Sequence, residues 1–288
     1  MAAFRRFPYG GTDNLSEKGD LSLLAERLAA AAKKRYSCRS YKDQPLECLN
    51  ELEAFAEDGY EILGSFSDVR FCILRDPEAS RSIMKGPWGP LPSLLLMAVR
   101  TDRPHFLEAL GYAGQQVILE ATALGIQTCW VSGMFSLDKA TKHFPGLEKH
   151  WNVVAVSPLG YASANAKNGA KQKLFKFLSA QRGRRHGLDV IMHPTELASL
   201  PPVLVNALQA AAQAPSALNQ QPWRFAIRGT ELTISSKHPA PKPDHPSRLD
   251  LGIAMLEFAA AARALGEDGF WQPRQTEGNP IAAFIREP

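Results

Sequence analysis

Small and apolar residues recur at helical spacing from Phe106 to Leu124 and again from Leu249 to Leu265, each run closed by a glycine, Gly125 or Gly266. The small residues predict two helices that each press closely on a neighbour. Helical patterns also cover Asp20 to Lys34, Leu46 to Glu57, Leu137 to His143 and Val203 to Ala214. Short apolar and β-branched runs predict strands at Val69 to Leu74, Ser93 to Arg100, Thr128 to Ser132, Trp151 to Pro158, Trp223 to Arg228, Glu231 to Ser236 and Ile281 to Ile285. Arg35 to Tyr41 reads as extended and Leu188 to Ile191 as strand-like, while Asp76 to Pro90 and the proline-rich His238 to Ser247 read as loops. The fold class expected from this order is α+β.

The two long helical runs are related. Leu110, Gly111, Ala113, Ala121, Ala123, Leu124, Gly125 and Trp130 meet identical residues 141 positions later, at Leu251, Gly252, Ala254, Ala262, Ala264, Leu265, Gly266 and Trp271. A second echo pairs Val69 to Leu74 with Trp223 to Arg228 at a spacing of 154, from Phe71 to Phe225. Alanine-rich helices can match by chance, but both glycines and the tryptophan keep step. The reading is two related halves, 1–190 and an abbreviated 191–288, packed as one unit.

Composition narrows the class. The chain has 288 residues, is 45% hydrophobic and carries a formal charge of +4, enough for a sizeable core. Its longest apolar run, near Pro92 to Val99, is far short of a membrane span of ~20 residues, and Met1 to Arg6 lacks a signal-peptide core. No membrane contact is expected, and cytoplasm is the default. Cys38, Cys48, Cys72 and Cys129 are scattered, which favours reduced thiols over disulfides or zinc. Lys167, Lys171, Lys173, Lys176, Arg182, Arg184 and Arg185 form a basic stretch without an acidic residue. It has few interleaved aromatics and no nucleic-acid recognition motif, so a solvated face is the plainer account of the lysines and no nucleic-acid partner is expected. The three arginines precede Leu188 and suit a phosphate.

Three segments concentrate candidate chemistry. In an extended Arg35-Tyr36-Ser37-Cys38-Arg39, alternate residues share a side, which makes either an oxyanion clamp or an ordinary basic strand. Trp130-Val131-Ser132-Gly133 is either a strand-ending turn or a place where a ligand approaches bare backbone. Pro215 to Trp223 is a stiff polar turn that offers hydroxyl, amide and backbone groups to a flat heterocycle, or else simply buries Trp223. No Ser-His-Asp order, paired-carboxylate pattern, Gly-x-Gly-x-x-Gly or phosphate-loop sequence points elsewhere.

Together and in this order, the segments resemble the FMN-dependent nitroreductase family. Its Arg-x-Ser-x-Arg is matched by Arg35, Ser37 and Arg39, and its Pro-Ser-x-x-Asn-x-Gln-Pro-Trp turn by Pro215, Ser216, Asn219, Gln221, Pro222 and Trp223. Gly111 to Gly133 resembles its Gly-x-Ala helix running into Leu-Gly and Cys-Trp, and Arg182 and Arg184 its basic Arg-x-Arg. The resemblance implies a nitroreductase-like fold, an FMN cofactor, NADH or NADPH as co-substrate, and a small electron acceptor such as a nitroaromatic or quinone. It implies Arg35, Ser37, Arg39, Arg182 and Arg184 around the phosphate and ribityl chain, Ser132 and Gly133 near the flavin N5, and Pro215, Ser216, Ala217 and Asn219 as the opposite wall. Gln221 is expected to hold the turn.

One departure from the family matters. Its members carry all the motifs on one subunit and two subunits enclose each flavin, whereas here the first half reads Glu61 to Val69 where the turn would stand, and the second reads Met192 to Thr195 ahead of its turn. Each half lacks what the other keeps. The resemblance therefore implies a monomer acting as a fused internal pseudodimer with one intact flavin site. Flavin storage or sensing without nicotinamide turnover stays open, and the course of Asp76 to Pro90 and His238 to Ser247 decides between them.

Overall fold

The computed structural model describes residues 17–58, 68–164, 185–238, 242–274 and 278–287. Its N-terminal part runs α1 (Glu17–Lys34), α2 (Leu49–Asp58), β1 (Val69–Leu74), α3 (Pro77–Ile83), β2 (Ser93–Arg100), α4 (Phe106–Ala123), β3 (Gln127–Thr128), α5 (Leu137–His143) and β4 (Trp151–Gly160). The C-terminal part runs α6 (Leu188–Ile191), α7 (Pro194–Ala198), α8 (Pro202–Gln213), β5 (Trp223–Arg228), β6 (Glu231–Ser236), α9 (Ser247–Arg263), β7 (Gly269–Pro273) and β8 (Ala282–Arg286). The fold is α+β, as the sequence predicts.

Two antiparallel sheets carry the same connectivity. One has the order β1-β2-β4-β3 and the other β5-β6-β8-β7, so strands in corresponding chain order occupy corresponding places. Between them lie α4 and α9, the two long helices of the sequence repeat, each buried along nearly its whole length. A single apolar core joins both helices to one face of each sheet, through residues such as Leu95, Met97, Phe225 and Ile234. The other face of the first sheet has a second cluster around Leu94, Leu96, Val153 and Val156, closed by Ile83 and Phe135. β2 is therefore buried on both faces, which explains its unbroken Leu94 to Val99 run.

The helix contact is reciprocal. A Cβ placed on Gly111 would run into the carbonyl oxygen of Leu249, and one placed on Gly252 into the carbonyl oxygen of Glu108. Glu108 and Leu249 are themselves 141 positions apart, so the crossing repeats itself under the sequence offset. The helix ends obey the same spacing. Ile126 N donates to Ala121 O (2.8 Å), and Glu267 N to Ala262 O (3.0 Å), with Gly125 and Gly266 at φ of 81° and 83°. Beside the crossing, buried Arg248 donates Nε to Glu108 Oε1 (2.6 Å) and lies 3.2 Å from His105 Nδ1.

Four local expectations are corrected. Leu188–Ile191 is a single helical turn, not a strand, because a four-residue apolar run carries too little period to separate the two. Asp76 to Pro90 is not all loop: Asp76 Oδ1 accepts from Glu78 N (2.8 Å) and Ala79 N (3.2 Å), and Pro77 starts α3. The strand expected over Thr128 to Ser132 covers only Gln127–Thr128, with one further bridge between Val131 and Val156. β4 continues past Pro158 to Gly160 because it pairs with β3 there.

Gly252→Ala should lower stability by about 1–3 kcal/mol, although alanine is favoured over glycine inside a helix by about 1 kcal/mol. Gly133→Ala, where an added Cβ meets nothing within 4 Å, should move it by less than about 0.5 kcal/mol. Urea denaturation of the two variants measures both.

Candidate functional site

The Arg35 to Arg39 segment leaves α1 and runs beside the end of β3. Ser37 bridges Thr128, and Cys38 N donates to Thr128 O (2.9 Å). The Ser37 hydroxyl bonds to the Cys129 thiol, and Arg39 Nη1 reaches the Ser37 carbonyl (3.2 Å). Two buried polar atoms here have no partner among the described residues: Arg35 Nη1 and Thr128 Oγ1. Burial lowers the pKa of Arg35, an effect that Glu257 and Cys129 oppose and Arg39 adds to. Leaving a buried guanidinium nitrogen without a partner is costly, and Nη1 of Arg35 is such an atom.

A second guanidinium comes from a later segment, ahead of α6. Arg185 donates Nη1 to Ala214 O (2.5 Å), and its pKa is lowered by burial and then by Arg35. Both arginines act on Glu257, a fully buried carboxyl on α9 that burial pushes up to about 7, against the pull of Arg35, Gln115 and Arg185. Gln115 Nε2 donates to Glu257 Oε1 (2.8 Å), and the Trp130 indole donates to Gln115 Oε1 (2.8 Å). One hydrogen-bonded chain thus runs from Trp130 through Gln115 of α4 to Glu257 of α9.

The polar turn adjoins Arg185 through Ala214. Pro215 is buried, Ser216 and Asn219 are half-buried, and Ala217 and Leu218 are exposed. Leu218, Asn219 and Gln221 have φ of 52°, 57° and 47°, a region that costs a non-glycine residue roughly 1–2 kcal/mol. The strain is held from inside. Gln221, fully buried, accepts from His186 N (2.7 Å) at its side-chain oxygen and donates from Nε2 to Asn219 O (3.3 Å), while its backbone N–H donates to Ser216 Oγ (3.0 Å). Asp250 in the first turn of α9 accepts from Ala217 N (3.0 Å), and burial pushes its carboxyl up to about 7.

The predicted residues are brought together unequally. Arg35, Ser37 and Arg39 share one segment, and Pro215, Ser216, Ala217 and Asn219 form one turn, which Arg185 reaches at Ala214. Ser132 and Gly133 are exposed beyond Trp130, and no described contact joins them to the turn. Arg182 and Arg184, with Lys167, Lys171, Lys173 and Lys176, lie outside the described residues, as does most of Glu61 to Val69. The sequence reading missed Gln115, Asp250 and Glu257. Glu257 had a signal, since it is the one charge between Gly252 and Ala262. Among the described residues no cluster of His, Cys, Asp and Glu could hold a metal, and no helix is long and apolar enough to cross a membrane.

A family model described as "Putative TM nitroreductase" matches residues 27–262. The crystal structure of a "putative nitroreductase" from Thermotoga maritima is similar at a TM-score of 0.59 and 23% identity, over 91% of this chain and 94% of that one. A nitroreductase family protein from Clostridium difficile 630 matches at a TM-score of 0.40 and 20% identity, over 50% of this chain and 90% of its own. An FMN-dependent nitroreductase from Clostridium difficile R20291 matches at 0.40 and 19%, over 49% and 92%. No curated protein matches the chain.

Asp250 gives the site a measurable pH signature. Its folded pKa lies above the usual carboxylate value near ~4, so the folded chain holds this proton more tightly than the unfolded one. The stability it contributes is complete below pH ~4 and is lost as pH rises to about 7. Glu257 titrates in the same direction. Asp250→Asn should therefore reduce, without abolishing, the fall in stability between about pH 4 and 7; urea denaturation across that range reads the slope.

Proposed function

Because the chain belongs to the nitroreductase family, matched over residues 27–262, we propose that it is an FMN-dependent oxidoreductase that passes hydride from NADH or NADPH to nitroaromatic or quinone-like acceptors. The observation that carries this reading is the buried, unpartnered Nη1 of Arg35 beside Arg185. Two guanidinium groups suit a phosphate monoester, which accepts paired charge-assisted hydrogen bonds. The adjoining turn offers a hydroxyl and an amide at fixed positions, the kind of polar edge that orients a flat heterocycle.

In this reading Arg35, Ser37 and Arg39, with Arg182, Arg184 and Arg185, bind the phosphate and ribityl chain. Ser132 and Gly133 serve the ring's reactive edge, and Pro215, Ser216, Ala217 and Asn219 supply the opposite wall. FMN, when bound, supplies the hydride exchange between a nicotinamide and an electron-poor acceptor. The protein's part is to bind and orient, and Gln221 and Asp250 keep the turn in its strained shape. We read residues 1–190 and 191–288 as the halves of an internal pseudodimer that works as a monomer with one flavin site. The like strand orders and the reciprocal glycine crossing support this division.

Flavin binding without turnover is the second reading. It is favoured by the position of the Asp76 to Pro90 segment, since Lys85 N donates to Met134 O (3.0 Å) immediately after Gly133.

The purified chain should bind one FMN, and NADH or NADPH should bleach it anaerobically. Bleaching by neither donor would leave storage or sensing as the function, and two flavins per chain would contradict the pseudodimer. Asn219→Ala should weaken FMN binding by about 1–3 kcal/mol, measured by fluorescence titration.

A further inference from the structure

The face of β5 and β6 turned away from the core is cationic next to the polar turn. Trp223 pairs with Ser236 and Arg224 with Ser235, and Lys237 continues the ladder by donating its backbone N–H to Pro222 O (2.7 Å). Side chains alternate along a strand, so Trp223 and Ser236 are buried while Arg224, Ser235 and Lys237 share the opposite face. His186 joins them from the segment ahead of α6. Its backbone N–H donates to Gln221 Oε1 (2.7 Å), and its pKa is lowered by burial and then by Arg224 and Lys237.

The turn fixes both cations. Lys237 Nζ donates to Gln220 O (2.8 Å), and Arg224 Nη1 donates to the carbonyls of Gln221 (3.2 Å) and Trp223 (2.6 Å). Arg224 Nε and Nη2 make no hydrogen bond among the described residues, and neither is sealed from solvent. These two donors form one edge of a planar guanidinium, the geometry that grips two oxygens of a phosphate at once. The nearby carboxylates are engaged: Glu196 of α7 accepts from Ile227 N (3.3 Å), Glu231 of β6 pairs with Arg274 (2.5 Å), and Asp250 of α9 accepts from Ala217 N (3.0 Å). At the spacing of 154, Arg224 corresponds to Arg70, which instead packs 4.4 Å from the centre of the Trp151 ring and donates to Gly146 O (3.2 Å).

We propose that Arg224 and Lys237, flanked by His186, form a site for a phosphate of the dinucleotide co-substrate. This rests on the reading above of a nicotinamide-dependent flavin enzyme. Arg185 holds the start of the turn at Ala214, whereas Arg224 and Lys237 hold its end from Gln220 to Trp223. The turn therefore stands between two cationic groups. Arg35 and Arg185 serve the cofactor's phosphate in that reading, and a nicotinamide that exchanges hydride with the same ring brings its own phosphates to the turn. NADH and NADPH both carry a diphosphate, and NADPH has a 2′-phosphate besides; nitroaromatic and quinone acceptors carry neither.

The test is steady-state kinetics of the FMN-loaded wild type, Lys237→Gln, Lys237→Arg and Arg224→Lys with NADH and NADPH, with dithionite reduction of the bound flavin as the phosphate-free reference. Lys237 is exposed, and glutamine keeps a donor for Gln220 O while removing the charge. Lys237→Gln should raise the dinucleotide KM roughly three- to tenfold with kcat within about twofold, and Lys237→Arg should stay near wild type. Arg224→Lys keeps the charge but loses the two-donor edge, and it should raise the same KM. Added salt should raise the wild-type KM and narrow the gap to Lys237→Gln. A rise for both donors puts the diphosphate on this face, and a rise for NADPH alone the 2′-phosphate. Unchanged KM for both donors in Lys237→Gln and Arg224→Lys would overturn the proposal, as would a loss of FMN but not riboflavin affinity in Lys237→Gln, which would give these cations to the cofactor. Reduction of the wild-type flavin by dithionite but by neither dinucleotide would overturn the reductase reading itself.

Discussion

The approach of α4 to α9 governs the molecule. Gly111 and Gly252 let each helix backbone touch the other, and no side chain fits between them. That contact brings the two sheets onto a single core and sets the spacing in which Gln115 of one helix reaches Glu257 of the other. A wider crossing would break the hydrogen-bonded chain from Trp130 through Gln115 to Glu257. The fold and the candidate site therefore depend on the same few ångströms.

Symmetry and its loss divide the labour. The helix ends and crossing contacts repeat at the 141-residue offset, and the two sheets share one strand order. The polar groups do not. At the offset Glu257 corresponds to Gln116 and Leu256 to Gln115, while Trp130 donates to a side chain and Trp271 to the backbone carbonyl of Met255 (2.9 Å). Apolar packing needs only size and shape, and so it keeps the duplication visible. A charged site needs partners, and they survive on one side.

Much of this was legible in the sequence for identifiable reasons. Glycines and a tryptophan in step gave away the paired helices, because each fills a steric requirement that few residues meet. Pro215 to Trp223 was legible because a strained turn must carry its own hydrogen-bonding side chains, and Gln221 holds it as expected. Asp250 and Glu257 were not, since their partners are hundreds of atoms away along the chain and nothing in a helical pattern names them. Leu188–Ile191 and the cap at Asp76 were misread because short segments take their structure from context and end groups.

The central claim is that the buried Arg35 guanidinium exists for a phosphate. The most direct measurement is the ratio of FMN to riboflavin affinity in wild type and in Arg35→Met. A lost charge-assisted hydrogen bond is worth about 1.5–3 kcal/mol, so the ratio should drop by roughly 10- to 100-fold while riboflavin binding is little changed. An unchanged ratio would contradict the account.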